Sequence, residues 1–227
     1  MSKRIVFATN NEGKLNEIKM IMEDLGFPVY GMKEIGIHLD VVEDGGTFEA
    51  NAMLKAKALA EILPNDIVLA DDSGLEIDYL DKAPGVETAN FAGRDTPYDV
   101  KNQMLIDELE GVPESKRTAR FKCVIVGIFP GAKSFIEEST LTNGDVEMTS
   151  AEIEGMIGYR IAGEKGFGYD PIFYLPEYGC TTAELDPEVK NELSHRGKAL
   201  KEMKRIIGER EVKSPCMEEG YEDSNCK

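Results

Sequence analysis

The sequence predicts an α/β fold, arranged as one large domain or as two small lobes. Its 227 residues are enough to bury a substantial core in either arrangement. The apolar run at residues 5–8 passes through a polar turn into a segment with helical periodicity, which predicts a strand–turn–helix unit. A second apolar run, at residues 67–70, lies between two helical patterns and predicts another strand.

The first helix follows the polar turn at residues 10–13. Gly26 is placed to end it with a left-handed C-cap, and Pro28 prevents its continuation. The apolar positions of this helix recur every three or four residues: Leu15, Ile18, Ile21, Met22 and Leu25.

The second helix leads to a strand that is followed by acidic residues. Thr47 is a good N-cap with Glu49 in the first helical turn, and the alanine-rich helix should stop before Pro64. The strand at residues 67–70 is then expected to end abruptly at the Asp-Asp-Ser-Gly segment, residues 71–74.

The third helix should begin within residues 96–99, where Thr-Pro-Tyr-Asp combines a cap, a first-turn proline and an acidic residue. Residues 120–129 are rich in β-branched side chains and predict a long buried strand. Residues 134–157 are interpreted only loosely as strands. The apolar face of the third helix is expected to include Val100, Met104 and Leu109.

The C-terminal part contains a glycine-rich loop at residues 163–170 and a last helix that begins at residues 186–187. This helix should bend around Ser194 and continue to Ile207. Few core-forming residues follow, so we predict a disordered acidic tail over residues 212–227. Residues 1–211 would then form a single catalytic domain of two lobes.

Composition and charge limit the functions that this chain can have. It has 43 acidic and 26 basic residues, a formal net charge of −17. This acidity argues against a nucleic-acid polymer as partner, because cationic contacts to phosphate dominate such binding, but it permits a small phosphorylated ligand. No run approaches the roughly 20 apolar residues of a membrane span, and the N-terminus does not resemble a secretory signal. We therefore expect no membrane association and a cytoplasmic location.

The spacing of the four cysteines also limits the kinds of site that this chain can have. They are widely spaced, with no CxxC motif, at Cys123, Cys180, Cys216 and Cys226. Such spacing predicts neither a zinc site nor a disulfide framework.

One segment of the sequence favours binding of an anion, and another favours binding of a cation. Residues 9–14, Thr-Asn-Asn-Glu-Gly-Lys, lead from a strand into a helix, so backbone N–H groups, the helix dipole and Lys14 favour an anion. They lack the Walker A spacing, and a purely structural turn explains them equally well. The adjacent acids Asp71 and Asp72 suit a hard cation such as Mg²⁺ at a strand end. A type I turn is the alternative, but repulsion between the carboxylates makes function the preferred interpretation.

Two further segments could contact a base. In residues 166–171, glycines flank an aromatic side chain that could stack on a flat ligand, although a tight turn explains this pattern equally well. Near the expected bend of the last helix, Lys190, His195 and Arg196 offer several hydrogen-bond donors, although a lone histidine is more often structural. Together the four segments predict a Mg²⁺-dependent nucleotide site.

The chain also resembles the inosine triphosphate pyrophosphatase family in unbroken order over residues 3–207. The motifs that carry this resemblance are TNNEGK at 9–14, TFEANA at 47–52, DDSGL at 71–75, APGV at 83–86, ARFKC at 119–123, GFGYDPIF at 166–173, AEL at 183–185 and SHRGKAL at 194–200. The motif at 83–86 is followed by residues 87–91 (Glu-Thr-Ala-Asn-Phe), where the family usually has a run containing arginine, and the match is also loose around 148–153.

The resemblance implies a mixed twisted sheet with flanking helices, in two lobes around a central nucleotide cleft, and a homodimer. It implies Mg²⁺-dependent hydrolysis of the non-standard purine nucleoside triphosphates ITP, dITP and XTP to monophosphate and pyrophosphate, which cleanses the nucleotide pool. It assigns Glu43 and Asp72 to the metal, and Asp72 also to the general base. The implied substrate-binding residues are Thr9, Asn10, Asn11, Glu12, Gly13, Lys14, Lys55, Ser73, Phe167, Gly168, Tyr169, Asp170, Lys190, His195 and Arg196.

The chemistry of the substrate suggests how these residues would act. Lys14, Lys55, Lys190 and Mg²⁺ would neutralise the triphosphate while a water activated by Asp72 attacks the α-phosphorus. Asp71 would either orient Asp72 or support the metal, so Asp72, Lys14 and Asp71 are the catalytic candidates.

The sequence also predicts how the base is selected, and it leaves two alternative functions to consider. His195 and Arg196 would donate to the C6 oxygen of inosine or xanthosine, which adenosine lacks. A non-hydrolytic nucleotide-binding regulatory protein is one alternative, and the acidic residues argue against it. A phosphotransferase is the other, and the absence of a Walker A loop argues against it.

Overall fold

The computed structural model describes residues 4–130 and 145–213. Within these residues, seven strands form one sheet in the order β2-β1-β3-β4-β5-β6-β7. The strands are β1 (Ile5–Phe7), β2 (Val29–Gly31), β3 (Ile67–Ile77), β4 (Thr118–Ile128), β5 (Val146–Ile157), β6 (Phe173–Leu175) and β7 (Cys180–Thr181). The α-helices are α1 (Glu12–Met22), α2 (Phe48–Ile62), α3 (Tyr98–Glu108), α4 (Pro187–Leu193) and α5 (His195–Lys213).

The sheet is mixed. Strand β1 runs parallel to β2 and β3, whereas β3 to β7 pair in antiparallel order. Strand β1 ends where Phe7 pairs with Leu69, but β3 continues to Ile77 with β4 as its partner. This difference in length leaves one edge of β3 open beyond Leu69. The predicted mixed sheet with flanking helices is confirmed.

Alternate residues of β3 pack against different helices, because successive side chains of a strand point to opposite faces. Ile67 and Leu69 belong to a core shared with α1 and α5. Val68 and Ala70 belong to a core shared with α2. At the other end of the strand, Leu75 enters a third core, to which α3 contributes. Residues 71–74 lie between these cores along β3.

The predicted end of the strand at residue 70 is wrong. Residues 71–74 are the middle of β3 and pair with β4, with Asp72 opposite Val124 and Ser73 opposite Cys123. The alternative of a type I turn is wrong for the same reason. Because the two carboxylates point to opposite faces of the sheet, they do not repel each other as neighbours in a turn would.

The interpretation of α3 also needs correction. Val100 and Met104, expected in the core, are exposed, whereas Lys101, Asn102 and Leu105 are buried. Leu109 is buried as predicted. The helix begins after Pro97, and Thr96 provides no side-chain cap, because its hydroxyl donates to the Ala92 carbonyl instead.

Most other element predictions are confirmed. Gly26 adopts the left-handed conformation at the end of the first helical segment. The last helical region is interrupted at Ser194, between α4 and α5. The loosely predicted strands at 134–157 correspond to β5, and residues 131–144 lie outside the described residues.

The division into a domain of residues 1–211 and a tail stays a prediction. Helix α5 extends to Lys213, two positions into the predicted tail, and residues 214–227 lie outside the described residues. No helix in the described part of the chain is long and apolar enough to cross a membrane.

Candidate active site

A cavity of about 440 Å³ lies beside the open edge of β3. The end of β1 creates this space, since the chain leaves the sheet there and turns into α1. Asp72, Ser73 and Gly74 of β3 form its floor. Lining side chains come from all four predicted segments: Asn11, Lys14, Asp72, Ser73, Phe167, Gly168, Tyr169, Asp170, Lys190, His195 and Arg196. Lys55 and Glu43 also line this cavity, which we call the cleft.

The N-terminus of α1 forms one end of the cleft. Asn11 caps the helix, and its side-chain oxygen accepts a hydrogen bond from Lys14 N. Thr9 and Asn10 line an adjoining cavity of about 200 Å³. Gly13 packs on the Phe167 ring so closely that a Cβ there would lie 2.7 Å from Cδ1. Among the predicted residues of this turn, the exposed Glu12 and the half-buried Gly13 line neither cavity.

The Asp71 carboxylate is ionised and binds two cationic side chains. It is buried, and its Oδ2 lies 2.9 Å from Lys14 Nζ and 3.4 Å from the Arg196 guanidinium. Ser73 also donates its hydroxyl to this oxygen. Burial opposes ionisation of the carboxyl, but Lys14 and Arg196 outweigh it and hold the pKa of Asp71 well below its usual value.

Asp72 points to the other face of the sheet, toward α2. Its Oδ2 accepts from Asn51 Nδ2 at 3.2 Å, and its Oδ1 lies 3.2 Å from Lys55 Nζ. Burial raises the pKa of Asp72 above its usual value despite the nearby lysines, and the charges of Glu43 and Asp71 act in the same direction. A carboxylate with increased proton affinity is suited to accept a proton from water.

Glu43 and Asp72 share one cation. The Lys55 ammonium lies 2.8 Å from Glu43 Oε2 and 3.2 Å from Asp72 Oδ1. Burial alone would lower the pKa of Lys55, but Asp72 and Asp71 more than compensate and raise it, so the ammonium stays charged.

Glu43 and Asp72 fit Mg²⁺ as two carboxylate ligands, with waters or substrate phosphates filling its remaining positions. No group of three or more His, Cys, Asp or Glu side chains in the described residues could hold a metal ion. Mg²⁺ is commonly held by one or two carboxylates, with waters and substrate phosphates completing its shell. The two acids, which already surround one positive charge, satisfy that requirement.

A second wall of the cleft, next to the N-terminus of α1, is built around Asp170. Its Oδ2 accepts from Phe167 N and from Lys190 Nζ, and its Oδ1 accepts from Thr182. Lys190 donates as well to Glu17 and lies 5.1 Å from the centre of the Phe167 ring. Asp170 and Lys190 are both buried, so this network fixes the conformation of the loop that carries Phe167.

His195 and Arg196 begin α5 and differ in their chemistry. The His195 ring stacks on Phe121, and its Nδ1 is buried without a hydrogen-bond partner. Burial, together with the charges of Arg196 and Lys190, lowers the pKa of His195 well below 6.5, so the imidazole is neutral. Arg196 donates to Glu17 at 2.6 Å and to the Ser73 hydroxyl at 2.9 Å.

Tyr169 and Gly168 are held by the segments around them. The Tyr169 hydroxyl donates to the Thr88 carbonyl, and its ring packs edge-on against Tyr98. The Gly168 carbonyl accepts from Asn102. Tyr169 is buried, so its ring both supports the loop and closes this side of the cleft.

Sequence reasoning missed several residues that line or support the site, among them two with direct contacts to predicted residues. Glu17 bridges Lys190 and Arg196, and Asn51 holds Asp72. Helical spacing could have indicated both, because Glu17 lies three residues after Lys14 and Asn51 lies four residues before Lys55. Arg94 also lines the cleft, with an exposed guanidinium 4.0 Å from Asp40.

Comparison with known proteins identifies the family. The model of the Ham1 family matches residues 5–206. The chain belongs to the Ham1 family. It is 46% identical over 204 residues to a dITP/XTP pyrophosphatase of Desulforamulus reducens, covering 90% of this chain and 95% of the relative. It is 40% identical to the dITP/XTP pyrophosphatase of Bacillus subtilis, with coverage of 90% and 97%. The resemblance found in the motifs is thereby confirmed.

Solved structures of Ham1 proteins have the same fold. A Ham1 protein from Coxiella burnetii superposes with a TM-score of 0.77 at 36% identity, covering 91% of this chain and 99% of that chain. The Staphylococcus aureus Ham1 protein gives a TM-score of 0.76 at 36% identity, with coverage of 92% and 100%. The α/β fold and its open mixed sheet are therefore shared over nearly the full length of both.

Proposed function

We propose that this Ham1 family member hydrolyses the non-standard purine nucleoside triphosphates ITP, dITP and XTP to monophosphate and pyrophosphate. The observation that carries this proposal is the Glu43–Lys55–Asp72 cluster, in which a carboxylate of raised pKa shares a cation with a second acid inside a cleft. The relatives named dITP/XTP pyrophosphatase support the same activity.

The triphosphate would lie between the N-terminus of α1 and α2. Residues 9–14 supply backbone N–H groups at a helix N-terminus, which favour phosphate oxygens. Lys14 and Lys55 add charge, while Asp71 keeps Lys14 directed into the cleft. Glu43 and Asp72 would hold Mg²⁺, which supplies positive charge against the phosphate oxygens and so reduces their repulsion of a nucleophile.

The base would lie on the Phe167 ring, beside the N-terminus of α1. Asp170 and Lys190 hold this loop in place. His195 and Arg196 would donate to the C6 oxygen of the base, and adenine would face these donors with an amino group instead. A donor left without an acceptor in a buried site costs about 1–3 kcal/mol, which is the proposed source of discrimination against ATP.

In the proposed reaction, a water attacks the α-phosphorus in line with the leaving pyrophosphate. Asp72 accepts the proton of this water at Oδ1, the oxygen that faces Lys55, whereas Oδ2 faces Asn51. The bond between the α-phosphorus and the bridging oxygen breaks, and pyrophosphate takes the electron pair. Asp71, ionised and bound to two cations, would keep its charge throughout.

The test is incubation of the protein with ITP, dITP, XTP, GTP and ATP in the presence of Mg²⁺, followed by separate assays for pyrophosphate and phosphate. We expect pyrophosphate from the first three substrates and little product from ATP. Asp72→Asn should abolish release while the variant keeps its Tm within a few degrees. Nucleotide binding without any product would instead indicate the regulatory protein, and release of phosphate would indicate a different bond cleaved.

We also propose that the protein is a homodimer and that residues 1–211 act as one catalytic unit in the cytoplasm, where free nucleotides are the substrates. Light scattering of the purified chain would measure twice the mass of 25.1 kDa if the dimer forms. A mass equal to that of one chain would exclude it.

A further inference from the structure

Asn51 occupies a position between the two acids of the proposed metal site. It lies in the first turns of α2, with only 3% of its surface exposed. Its Nδ2 donates to Asp72 Oδ2 at 3.2 Å, and its Oδ1 accepts from Gly45 N at 2.9 Å. Gly45 lies two residues after Glu43. The Asn51 side-chain amide therefore connects β3, which carries Asp72, to the loop that carries Glu43.

The chemistry of its partners fixes the orientation of this amide. A backbone N–H can only donate, so the amide oxygen must face Gly45, and the amide nitrogen then donates to Asp72 Oδ2. Rotation of the amide by half a turn would break both hydrogen bonds. Asn51 is therefore held in one orientation, and it holds the loop and the carboxylate in turn.

Packing does not explain the residue. Helix α2 is already capped by Thr47, whose hydroxyl oxygen accepts from Ala50 N at 3.1 Å. The neighbouring core positions of α2 are apolar, with Phe48, Ala52 and Ala56 buried. A buried amide is costly unless its polar atoms are paired, and both of its pairs belong to the site rather than to the core.

The loop approaches this amide closely because residue 45 has no side chain. A Cβ at Gly45 would lie 2.6 Å from Ala50 Cβ and 2.9 Å from Asn51 Oδ1. The contact between loop and helix therefore depends on the glycine, and it places Glu43 within reach of Lys55.

We propose that Asn51 is the positioning residue that sets the geometry between Glu43 and Asp72. By holding Asp72 Oδ2, it leaves Oδ1 as the oxygen that faces Lys55 and, in the proposed reaction, the metal and the attacking water. By holding Gly45 N, it keeps the Glu43 loop against α2. This role rests on the proposed function, since a metal and a water must act at these acids.

The test compares Asn51→Leu, which keeps the approximate volume and loses the amide, with Thr47→Ala, which weakens the same helix turn without contacting either acid. The readouts are kcat and KM for ITP, the Tm, and Mn²⁺ binding without nucleotide, measured by electron paramagnetic resonance. Loss of a group that orients metal ligands costs about 10- to 100-fold in affinity or activity. We therefore expect kcat of Asn51→Leu to fall by that factor with little change in KM, and Mn²⁺ to bind more weakly.

Thr47→Ala should lower the Tm and leave kcat and Mn²⁺ affinity unchanged. Equal effects of the two substitutions on kcat and Mn²⁺ affinity would overturn the proposal, because Asn51 would then act only through helix stability. Unchanged kcat and Mn²⁺ affinity in Asn51→Leu would overturn it as well. If Asn51→Leu does not fold, Asn51→Ala replaces it. The alanine variant also lacks the amide and adds no branched side chain, so the same results would support or overturn the proposal.

The same experiment separates this proposal from the proposed function. If the unmodified protein released no pyrophosphate from ITP, dITP or XTP, the proposed function would fail. The Mn²⁺ comparison needs no turnover, so weaker binding in Asn51→Leu than in Thr47→Ala would still support the positioning role, and equal binding would still refute it.

Discussion

Asp71 and Asp72 are adjacent in β3, but their carboxylates contact different helices. Asp71 binds Lys14 of α1 and Arg196 of α5, whereas Asp72 contacts Asn51 and Lys55 of α2. The alternation of side chains along a strand produces this separation. Because β1 ends before this part of β3, the edge of β3 has no neighbouring strand here among the described residues, and both of its faces are accessible from that edge.

The two carboxylates consequently have opposite electrostatic properties. Two cations lower the pKa of Asp71 against the effect of burial, whereas burial and two acidic neighbours raise the pKa of Asp72. One acid is thus suited to hold cations in place and the other to accept a proton. Neighbouring carboxylates with pKa values shifted apart are a recurrent arrangement for assigning separate roles to chemically identical groups.

Lys55 provides the first prediction. Its ammonium lies between Glu43 and Asp72, so a divalent cation must displace it. Lys55→Met should strengthen Mn²⁺ binding in the absence of nucleotide by about tenfold, equivalent to about 1.4 kcal/mol, while turnover of ITP falls for lack of a phosphate contact. A spectroscopic Mn²⁺ titration measures the first effect. Lys57→Met, on the same helix but outside the cleft, is the control, and weaker Mn²⁺ binding in Lys55→Met would contradict the prediction.

Glu17 provides a prediction about pH. Burial opposes its ionisation, but Arg196 and Lys190 prevail and lower the pKa of Glu17 below 4.5. A carboxyl whose pKa is lower in the folded state contributes stability above its ordinary pKa and loses that contribution as the pH falls through the lowered value. Glu17→Gln should therefore lower the free energy of unfolding by about 3 kcal/mol at pH 7, which is the lower end of the range for breaking a buried ion pair. This loss of stability should become progressively smaller as the pH falls below 4.5.

Urea denaturation of wild type and Glu17→Gln at pH 7 and at strongly acidic pH measures this difference. The exposed Glu202, paired with Arg205 on α5, is a suitable control, since Glu202→Gln should change stability little at either pH. A difference between wild type and Glu17→Gln that stays constant or widens on acidification would be inconsistent with the lowered pKa.

Local sequence patterns predicted those parts of the fold that local forces determine. The left-handed cap at Gly26 and the interruption at Ser194 follow from residue types within one or two turns of helix. Strand β3 was predicted four residues into its length but not beyond, because Asp, Ser and Gly are typical of turns. Its continuation pairs with β4, and its two acids contact Lys14 and Lys55, which lie outside the local pattern.

The composition of the site was more predictable than its contacts. The sequence motifs alone assign Lys14, Asp72 and Phe167 to one site, and all three side chains line the cleft. Glu17 and Asn51 were missed because an acid on a helix surface and a polar residue in an alanine-rich helix resemble ordinary solvent-facing positions. Only the packing of α1 against α5 and of α2 against β3 gives them partners.

Arg94 provides a third prediction. The other cations of the cleft in the described residues are held by carboxylates at short distance, whereas the Arg94 side chain is 78% exposed and its guanidinium lies 4.0 Å from Asp40. It lies three residues after the 87–91 segment and lines the cleft. Arg94→Gln should raise KM for ITP by about three- to tenfold at low salt and less at high salt, with kcat unchanged, as for a charge at the rim of a site.

Steady-state kinetics at two ionic strengths test this expectation for Arg94. Arg160→Gln removes an exposed arginine that does not line the cleft and should leave KM unchanged. Equal KM values for Arg94→Gln and wild type at low salt would exclude the guanidinium from substrate binding.

His195 provides the last prediction, which concerns the choice of base. His195→Phe keeps a ring on Phe121 and removes both ring nitrogens. Since the imidazole is neutral, its hydrogen bond contributes about 0.5–1.5 kcal/mol, or roughly two- to tenfold in kcat/KM for ITP. ATP offers no acceptor at C6, so its kcat/KM should change little and the ITP/ATP ratio should fall. Equal losses for both substrates would instead place His195 against the phosphates. Arg196 is a poorer probe, because its removal would leave Glu17 and Asp71 without their partner.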